Sequence, residues 1–167
     1  AEGYVLNDAV IQDLMSMGAE YSVALQRALE LSDPGIARKI LNQVGPSLGK
    51  NLFLAVAEDD ALDGNVRSAK LKQLIDVGVN SDDILREIAT DSHNFSRLET
   101  LIARGVPTIK LLIDLARQGN RLEIQAFIGA GANLIGAVNI LRDNGEQDAL
   151  SVLGVAMAMA WKRGFPP

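Results

Sequence analysis

The sequence predicts an all-α protein built as a stack of about five helix-turn-helix hairpins. Its apolar segments follow the 3.6-residue period of an amphipathic helix, and none alternates as a strand does. Gly, Pro, Asn or Asp ends each segment within roughly a dozen residues. Only 4% of the residues are aromatic, so Leu, Ile, Val and Ala must fill the core. Such a core is typical of closely packed helices.

With 167 residues, the chain is long enough for one domain with a real core. We expect a single helical domain with irregular helices over residues 1–45, hairpins over 46–145, and an apolar capping helix and tail over 146–167. The breaks between segments are Gly18, residues 32–35, Gly45-Pro46, Asp63-Gly64, Gly78, residues 92–94, Gly105, Gly119, Gly131 and Gly145.

Two of these segments begin with recognisable helix starts. Ser81-Asp82-Asp83 precedes Ile84, and acidic residues in a first helical turn complement the helix dipole. Pro107-Thr108 precedes Ile109, and proline is suited to the first turn of a helix. Both starts predict the first helix of a hairpin.

The segments also repeat along the chain. Gly78, Gly105 and Gly131 are 27 and 26 residues apart, and each follows a helix with a Leu-Ile or Phe-Ile pair near its end. In this alignment Ile88-Ala89 falls on Leu115-Ala116, and Gly119-Asn120 falls on Gly145-Glu146. Self-similarity at a fixed period predicts a repeat protein.

Residues 115–133, LARQGNRLEIQAFIGAGAN, resemble the end of the first helix, the turn and the second helix of an ankyrin repeat. Weaker copies run over residues 88–105 and 56–78, the latter with an insertion at 61–64, and a remoter one over 28–45. The resemblance covers about residues 50–145 and lacks the Thr-Pro-Leu-His stretch and the usual 33-residue period. We therefore expect bare helical hairpins without the β-turn finger. Arg142 replaces the alanines of the other copies, so the last copy should pack differently.

A hairpin of this size cannot bury its apolar face alone, so neighbouring copies should stack into a short right-handed α-solenoid. The small residues Ala89, Ala116 and Ala126 should let helices approach closely. The ankyrin resemblance implies that the first helix of each pair lines a concave binding face. The candidate partner-binding residues on that face are Arg86, Glu87, Asp91, Lys110, Asp114, Arg117, Gln118 and Arg142.

The C-terminal segment Val152 to Trp161 is apolar nearly all round, whereas the end of a solenoid should have a polar outer face. We expect it to be clasped by the rest of the domain. The alternative is exposure for another chain, with Met157, Met159 and Trp161 as anchors.

Composition argues against several functions. The net charge of -5, without a basic run, disfavours nucleic-acid binding, and no apolar stretch reaches the length of about 18 residues that a membrane span needs. The chain has no Cys, which fits a reducing compartment, and His93 is its single His. No signal peptide is recognisable, so we expect a cytoplasmic protein or one secreted into a host cytosol.

Catalytic and cofactor motifs are equally weak. Residues 45–51, GPSLGKN, resemble a phosphate-binding loop but end in Asn instead of Ser or Thr, and Gly129-Ala130-Gly131 is an incomplete dinucleotide motif. Glu58-Asp59-Asp60 lacks the alternation of a calcium loop. We expect no enzyme activity, no cofactor and no bound metal.

The sequence therefore predicts a module that binds another protein through its concave face and hairpin tips, as part of a bacterial assembly or as an effector. The alternative is a structural subunit of a larger assembly, which packs or self-associates through its C-terminal helix.

Overall fold

The structure, a computed structural model, describes residues 20–31, 33–91 and 94–162. In these ranges it contains ten α-helices and no strand, which confirms the all-α fold. The helices are α1 (Tyr21–Glu30), α2 (Pro34–Val44), α3 (Pro46–Glu58), α4 (Gly64–Asp76), α5 (Ser81–Thr90), α6 (Phe95–Ala103), α7 (Ile109–Arg117), α8 (Arg121–Gly129), α9 (Ile135–Asp143) and α10 (Gln147–Lys162). None of the helices in the described ranges has both the length and the apolarity of a membrane span.

The chain packs as two compact units, Ala1–Ser81 and Asp82–Pro167. The predicted division at residues 45 and 145 is not tested by this partition and stays a prediction. The predicted breaks at Gly18, Ser32 and Ser92-His93 lie outside the described residues.

In the first unit, α1 packs against α2 and α3, α2 packs against α3, and α3 packs against α4. Among the described residues of this unit, Phe53 is the largest side chain that is fully buried. Two helices begin with aspartate caps: Asp33 Oδ1 accepts a hydrogen bond from the Ile36 N–H (3.1 Å), and Asp63 Oδ1 accepts one from the Asn65 N–H (2.8 Å). Each cap satisfies an N–H that has no partner within its helix.

In the second unit, α7 packs against α8, α9 and α10, and α10 packs also against α8 and α9. Phe127 is fully buried there, as Phe53 is in the first unit. The second unit therefore has a core of its own.

Burial follows the repeat that the sequence shows. In the second helices, Leu101, Phe127 and Leu153 lie 26 residues apart and are all at most 1% exposed. In the first helices, the aligned residues Ile88, Leu115 and Leu141 are also buried. Equivalent positions of successive hairpins thus point into the core, as the alignment predicts.

The small residues of the alignment differ in their surroundings. Ala116 is buried, whereas Ala89 and Ala126 are partly exposed and Arg142 is exposed. The long Arg142 side chain therefore takes no place in the core, and the last copy does differ from the others at this position.

One detail of the predicted helix starts is wrong. Thr108 is the N-cap of α7, so Pro107 lies before the helix and not in its first turn. Asp82 and Asp83 do lie in the first turn of α5, as expected.

Candidate functional site

The turns that follow the helices fix which side chains face the next hairpin. After α7, the Gly119 N–H donates to the Ala116 carbonyl (3.1 Å) and the Asn120 N–H donates to the Leu115 carbonyl (2.9 Å). Gly119 has a φ of +72°, which a side chain would disfavour. The same pair of hydrogen bonds closes the helices before Gly78, Gly105, Gly131 and Gly145. Similar turns at similar spacing place charged residues at comparable positions of successive hairpins.

A network of ion pairs connects three of these hairpins. Lys110 of α7 bonds to Asp82 of α5 (2.6 Å) and to Asp114 of its own helix (3.2 Å). Arg117, at the end of α7, contacts Asp114 (3.6 Å) and forms two hydrogen bonds with Glu146 (2.8 and 2.7 Å), the residue before α10. We call these five residues the cross-hairpin network.

A second ion pair lies beside the network. Arg86 of α5 donates two hydrogen bonds to the carboxylate of Glu123 in α8, at 2.8 and 3.1 Å. Glu123 also accepts a bond from the side chain of Asn120, whose Oδ1 caps α8 by accepting from the Glu123 N–H (3.3 Å). The arginine is therefore held by a carboxylate that is itself anchored at a helix start.

These contacts stabilise the charged forms of the side chains. Its hydrogen bonds to Glu123 raise the pKa of Arg86, and hydrogen bonds to Asp82 and then Asp114 raise the pKa of Lys110. Glu146 raises the pKa of Arg117, and the Arg117 guanidinium in turn lowers the pKa of Glu146 to about 2. In the cross-hairpin network the signs alternate from Asp82 through Lys110, Asp114 and Arg117 to Glu146.

The structure brings together three of the predicted polar candidates, Lys110, Asp114 and Arg117, in the cross-hairpin network. Arg86 lies in the neighbouring pair with Glu123. The other predicted side chains are exposed on the first helices or just after them, outside the network: Glu87, Asp91, Gln118 and Arg142. Of these, Arg142 bonds to Asn139 of its own helix (2.6 Å).

Sequence reasoning missed the carboxylates that complete these pairs: Asp82, Glu123 and Glu146. For Asp82 the helix dipole offered a sufficient explanation. For Glu146 a signal existed, because the repeat aligns it with Asn120, the residue that caps α8. No local pattern marked Glu123 as the partner of an arginine 37 residues away.

Two exposed isoleucines lie at the starts of the first helices. Ile109 and Ile135 begin α7 and α9 and are 42% and 67% exposed. Gly136 lets α9 approach Ile109 closely, since a Cβ at this glycine would lie 2.6 Å from Ile109 Cδ1. We call the network and these two isoleucines the first-helix surface.

The C-terminal helix α10 is buried on one face and exposed on the other. One face is buried through Ala149, Leu153, Ala156 and Ala160. Among the predicted anchors, Met157 and Met159 are about two fifths exposed, and Trp161 is 65% exposed. Met159 Sδ also accepts a hydrogen bond from the buried Gln125 side chain of α8 (3.3 Å). The helix thus contributes both to the core and to the surface.

The weak motifs lie in ordinary helical structure. The stretch that resembles a phosphate-binding loop is helical from residue 46 to residue 51, where it forms the start of α3. Gly49 packs closely on Val79 there. Gly129 ends α8, and Gly131 forms the turn after it. In the acidic run, Asp59 Oδ1 accepts a hydrogen bond from the Ala61 N–H (2.9 Å), in the loop after α3. The predicted turn residue His93 lies outside the described residues.

Within the described residues, no group of three or more His, Asp or Glu side chains is arranged to hold a metal ion. A groove of about 250 Å³ in the first unit is lined by Leu29, Glu30, Leu52, Lys70, Gln73 and their neighbours. Its carboxylate, Glu30, forms an exposed ion pair with Arg27 (2.8 Å).

Comparison of the chain with protein-family models, curated proteins and solved structures gives no match.

Proposed function

We propose that this chain is a protein-interaction module whose first-helix surface binds another protein. The observation that supports the proposal is that the first helices of successive hairpins carry exposed isoleucines at their starts and, along their length, ion pairs of alternating sign. Protein interfaces typically combine an apolar centre with a polar rim, and Ile109 and Ile135 beside Lys110 supply both components.

The ion pairs favour binding because they hold long side chains in place before a partner arrives. Arg117 is fixed by two hydrogen bonds to Glu146, and Lys110 is shared between Asp82 and Asp114. A side chain that is already ordered loses less conformational entropy on association. The alternating signs would also reject partners with an unmatched charge pattern.

The ankyrin resemblance agrees with this proposal, because ankyrin repeats bind proteins through the equivalent helices and tips. Binding to another protein remains our proposal for this chain. Its location, in the cytoplasm or after secretion in a host cytosol, and its lack of enzyme activity are proposals too. The cross-hairpin network adds two carboxylates, Asp82 and Glu146, to the residues predicted from the sequence, so the proposed surface is broader than the sequence indicated.

The test is capture of partners from the native cell by the tagged chain, followed by quantitative mass spectrometry. The double variant Ile109→Asp/Ile135→Asp should lower recovery of a specific partner at least about tenfold, since burying an unpaired carboxylate in an interface is costly. The matched control is Leu122→Asp, which changes an equally apolar side chain, 71% exposed, on the second helix α8. Circular dichroism checks that all three chains are folded.

Equal recovery with the natural chain and the double variant would exclude the first-helix surface. Recovery of no protein above the level of an untagged control would exclude the function itself.

A further inference from the structure

The outward side of α10 has a regular pattern of its own. Residues three and four positions apart along this helix are all exposed: Asp148, Ser151, Val155, Ala158 and Lys162. We call them the outer stripe. Spacings that alternate between three and four residues place side chains along one line of a helix, and such a line is the usual contact between two helices packed side by side. The inner face, from Ala149 to Ala160, has the same kind of spacing and packs against the unit's own helices.

The ends of the outer stripe carry opposite charges at equal distances from its centre. Asp148 lies seven residues before Val155, and Lys162 lies seven residues after it. Neither side chain forms an ion pair with any other residue in the described ranges. If a second copy of α10 lay antiparallel across Val155, each Asp148 would face a Lys162. A parallel copy would instead place like charges together, so charge complementarity selects the antiparallel copy.

The sizes of the side chains fit the same arrangement. In an antiparallel pair centred on Val155, Met159 of one copy lies opposite Ser151 of the other, so a large side chain meets a small one. Trp161, which is 65% exposed, and Met159 would lose contact with water at the edge of the pair. The dipoles of antiparallel helices also oppose each other favourably.

The exposed apolar side chains of α9 and α10 agree with this arrangement. These two helices expose Ile135, Ile140, Val155, Met159 and Trp161. Exposed apolar side chains in such number usually mark an interface.

We propose that a second copy of this chain binds the outer stripe, with the two α10 helices antiparallel, the two-fold axis at Val155, and two Asp148–Lys162 ion pairs between the copies. A single helix pair buries less than a standard interface, so the dimer is weak and depends on concentration. The inference does not rest on the first-helix surface, and the partner-capture experiment and the experiments below can fail separately.

Cysteine cross-linking tests the geometry, because the natural chain has no Cys. The Val155→Cys variant should form a disulfide-linked dimer under mild oxidation, since disulfides require Cβ atoms about 4 Å apart. Ser151→Cys alone should stay monomeric, whereas a mixture of Ser151→Cys and Met159→Cys chains should give a linked heterodimer. Leu122→Cys, exposed on α8, is the control for random collision.

Charge reversal tests the ion pairs. Asp148→Lys and Lys162→Asp should each weaken the dimer roughly tenfold in analytical ultracentrifugation, since two attractive pairs become repulsive. The double variant Asp148→Lys/Lys162→Asp should recover most of this loss. Asp143→Lys, an exposed change in α9, serves as the control, and thermal unfolding checks that every variant is folded.

Efficient self-linking of Ser151→Cys would show a parallel pair and overturn the proposal. It is equally overturned if the natural chain is monomeric at every concentration and Val155→Cys links to no second copy. Linkage of Val155→Cys only to a different protein in the native cell would assign the outer stripe to that protein instead.

Discussion

The two units of the chain differ in the groups to which several of their arginine side chains bond. In the first unit, Asp33 and Asp63 cap helix starts, and arginines bond to backbone carbonyls: Arg67 to Asp59 and Leu62 (both 2.8 Å), and Arg38 to Asp76 (2.9 Å). In the second unit, Arg86 and Arg117 bond instead to carboxylates on other hairpins, 37 and 29 residues away.

This difference shows which contacts between side chains become possible when turns are regularly spaced. A backbone carbonyl exists at every residue, so the contacts of Arg38 and Arg67 need no particular partner side chain. The pairs of Arg86 and Arg117 need a carboxylate at one position of another hairpin. Evenly spaced glycine turns supply such positions, so charged side chains of successive hairpins in the second unit form one series of ion pairs.

The largest expected effect tests whether the two cores are independent. Phe53→Ala and Phe127→Ala each remove a fully buried ring, and each should lower the free energy of unfolding of its own unit by about 3–5 kcal/mol. Hydrogen-exchange mass spectrometry should show faster exchange over residues 20–81 for Phe53→Ala and over 82–162 for Phe127→Ala.

The two variants are controls for each other. If either substitution speeds exchange equally along the whole chain, the units unfold together, and the comparison between them describes two parts of one cooperative structure.

A smaller effect tests the role of the glycine turns in the second unit. Gly119→Ala places a Cβ at a φ of +72° and should destabilise the unit by about 1–2 kcal/mol. Gly154→Ala, in the middle of α10, would bring the new Cβ within 4 Å of no atom beyond its chain neighbours and its own helix backbone, and should stabilise the unit by about 0.5–1 kcal/mol. Urea denaturation measures both changes.

Opposite signs for the two substitutions are the decisive result. If Gly119→Ala were as well tolerated as Gly154→Ala, the turn after α7 would not depend on glycine, and the repeat of glycines would lose its structural explanation.

Much of the fold could be predicted because it depends on local properties. The apolar period, the prolines that begin α2 and α3, and the glycines at positive φ each act within a few residues, and burial at Leu101, Phe127 and Leu153 follows the repeat. Pro107 was misplaced because helix ends depend on side-chain and backbone competition that shifts them by one or two residues.

The site could be predicted only in part because ion pairs depend on distances between hairpins. Lys110, Asp114 and Arg117 were found by assuming that first helices line a surface, but their partner Glu146 lies outside those helices, before α10. The sequence also left open which face of α10 is buried, since Ala, Val and Met suit either a core or an interface. Which side of α10 is buried follows from the position of α7 and α8.

The smallest expected effect concerns the pH dependence of the cross-hairpin network. Arg117 lowers the pKa of Glu146 from its ordinary 4.5 to about 2, so the folded protein binds this proton less readily than the unfolded chain. The stabilisation is therefore complete above pH 4.5 and is lost as the pH falls toward 2. The Tm difference between the natural chain and Glu146→Gln should be present at neutral pH and vanish near the low end of this range. The Tm difference should be small, since water and salt screen a half-exposed pair.

NMR titration of the Glu146 carboxyl measures its pKa directly. The Arg117→Lys variant should raise this pKa, because lysine cannot offer two parallel donors. An unshifted carboxyl in the natural chain would show that Arg117 does not hold Glu146 in solution, and the contrast between side-chain pairing in the second unit and backbone pairing in the first would then rest on Arg86 and Lys110 alone.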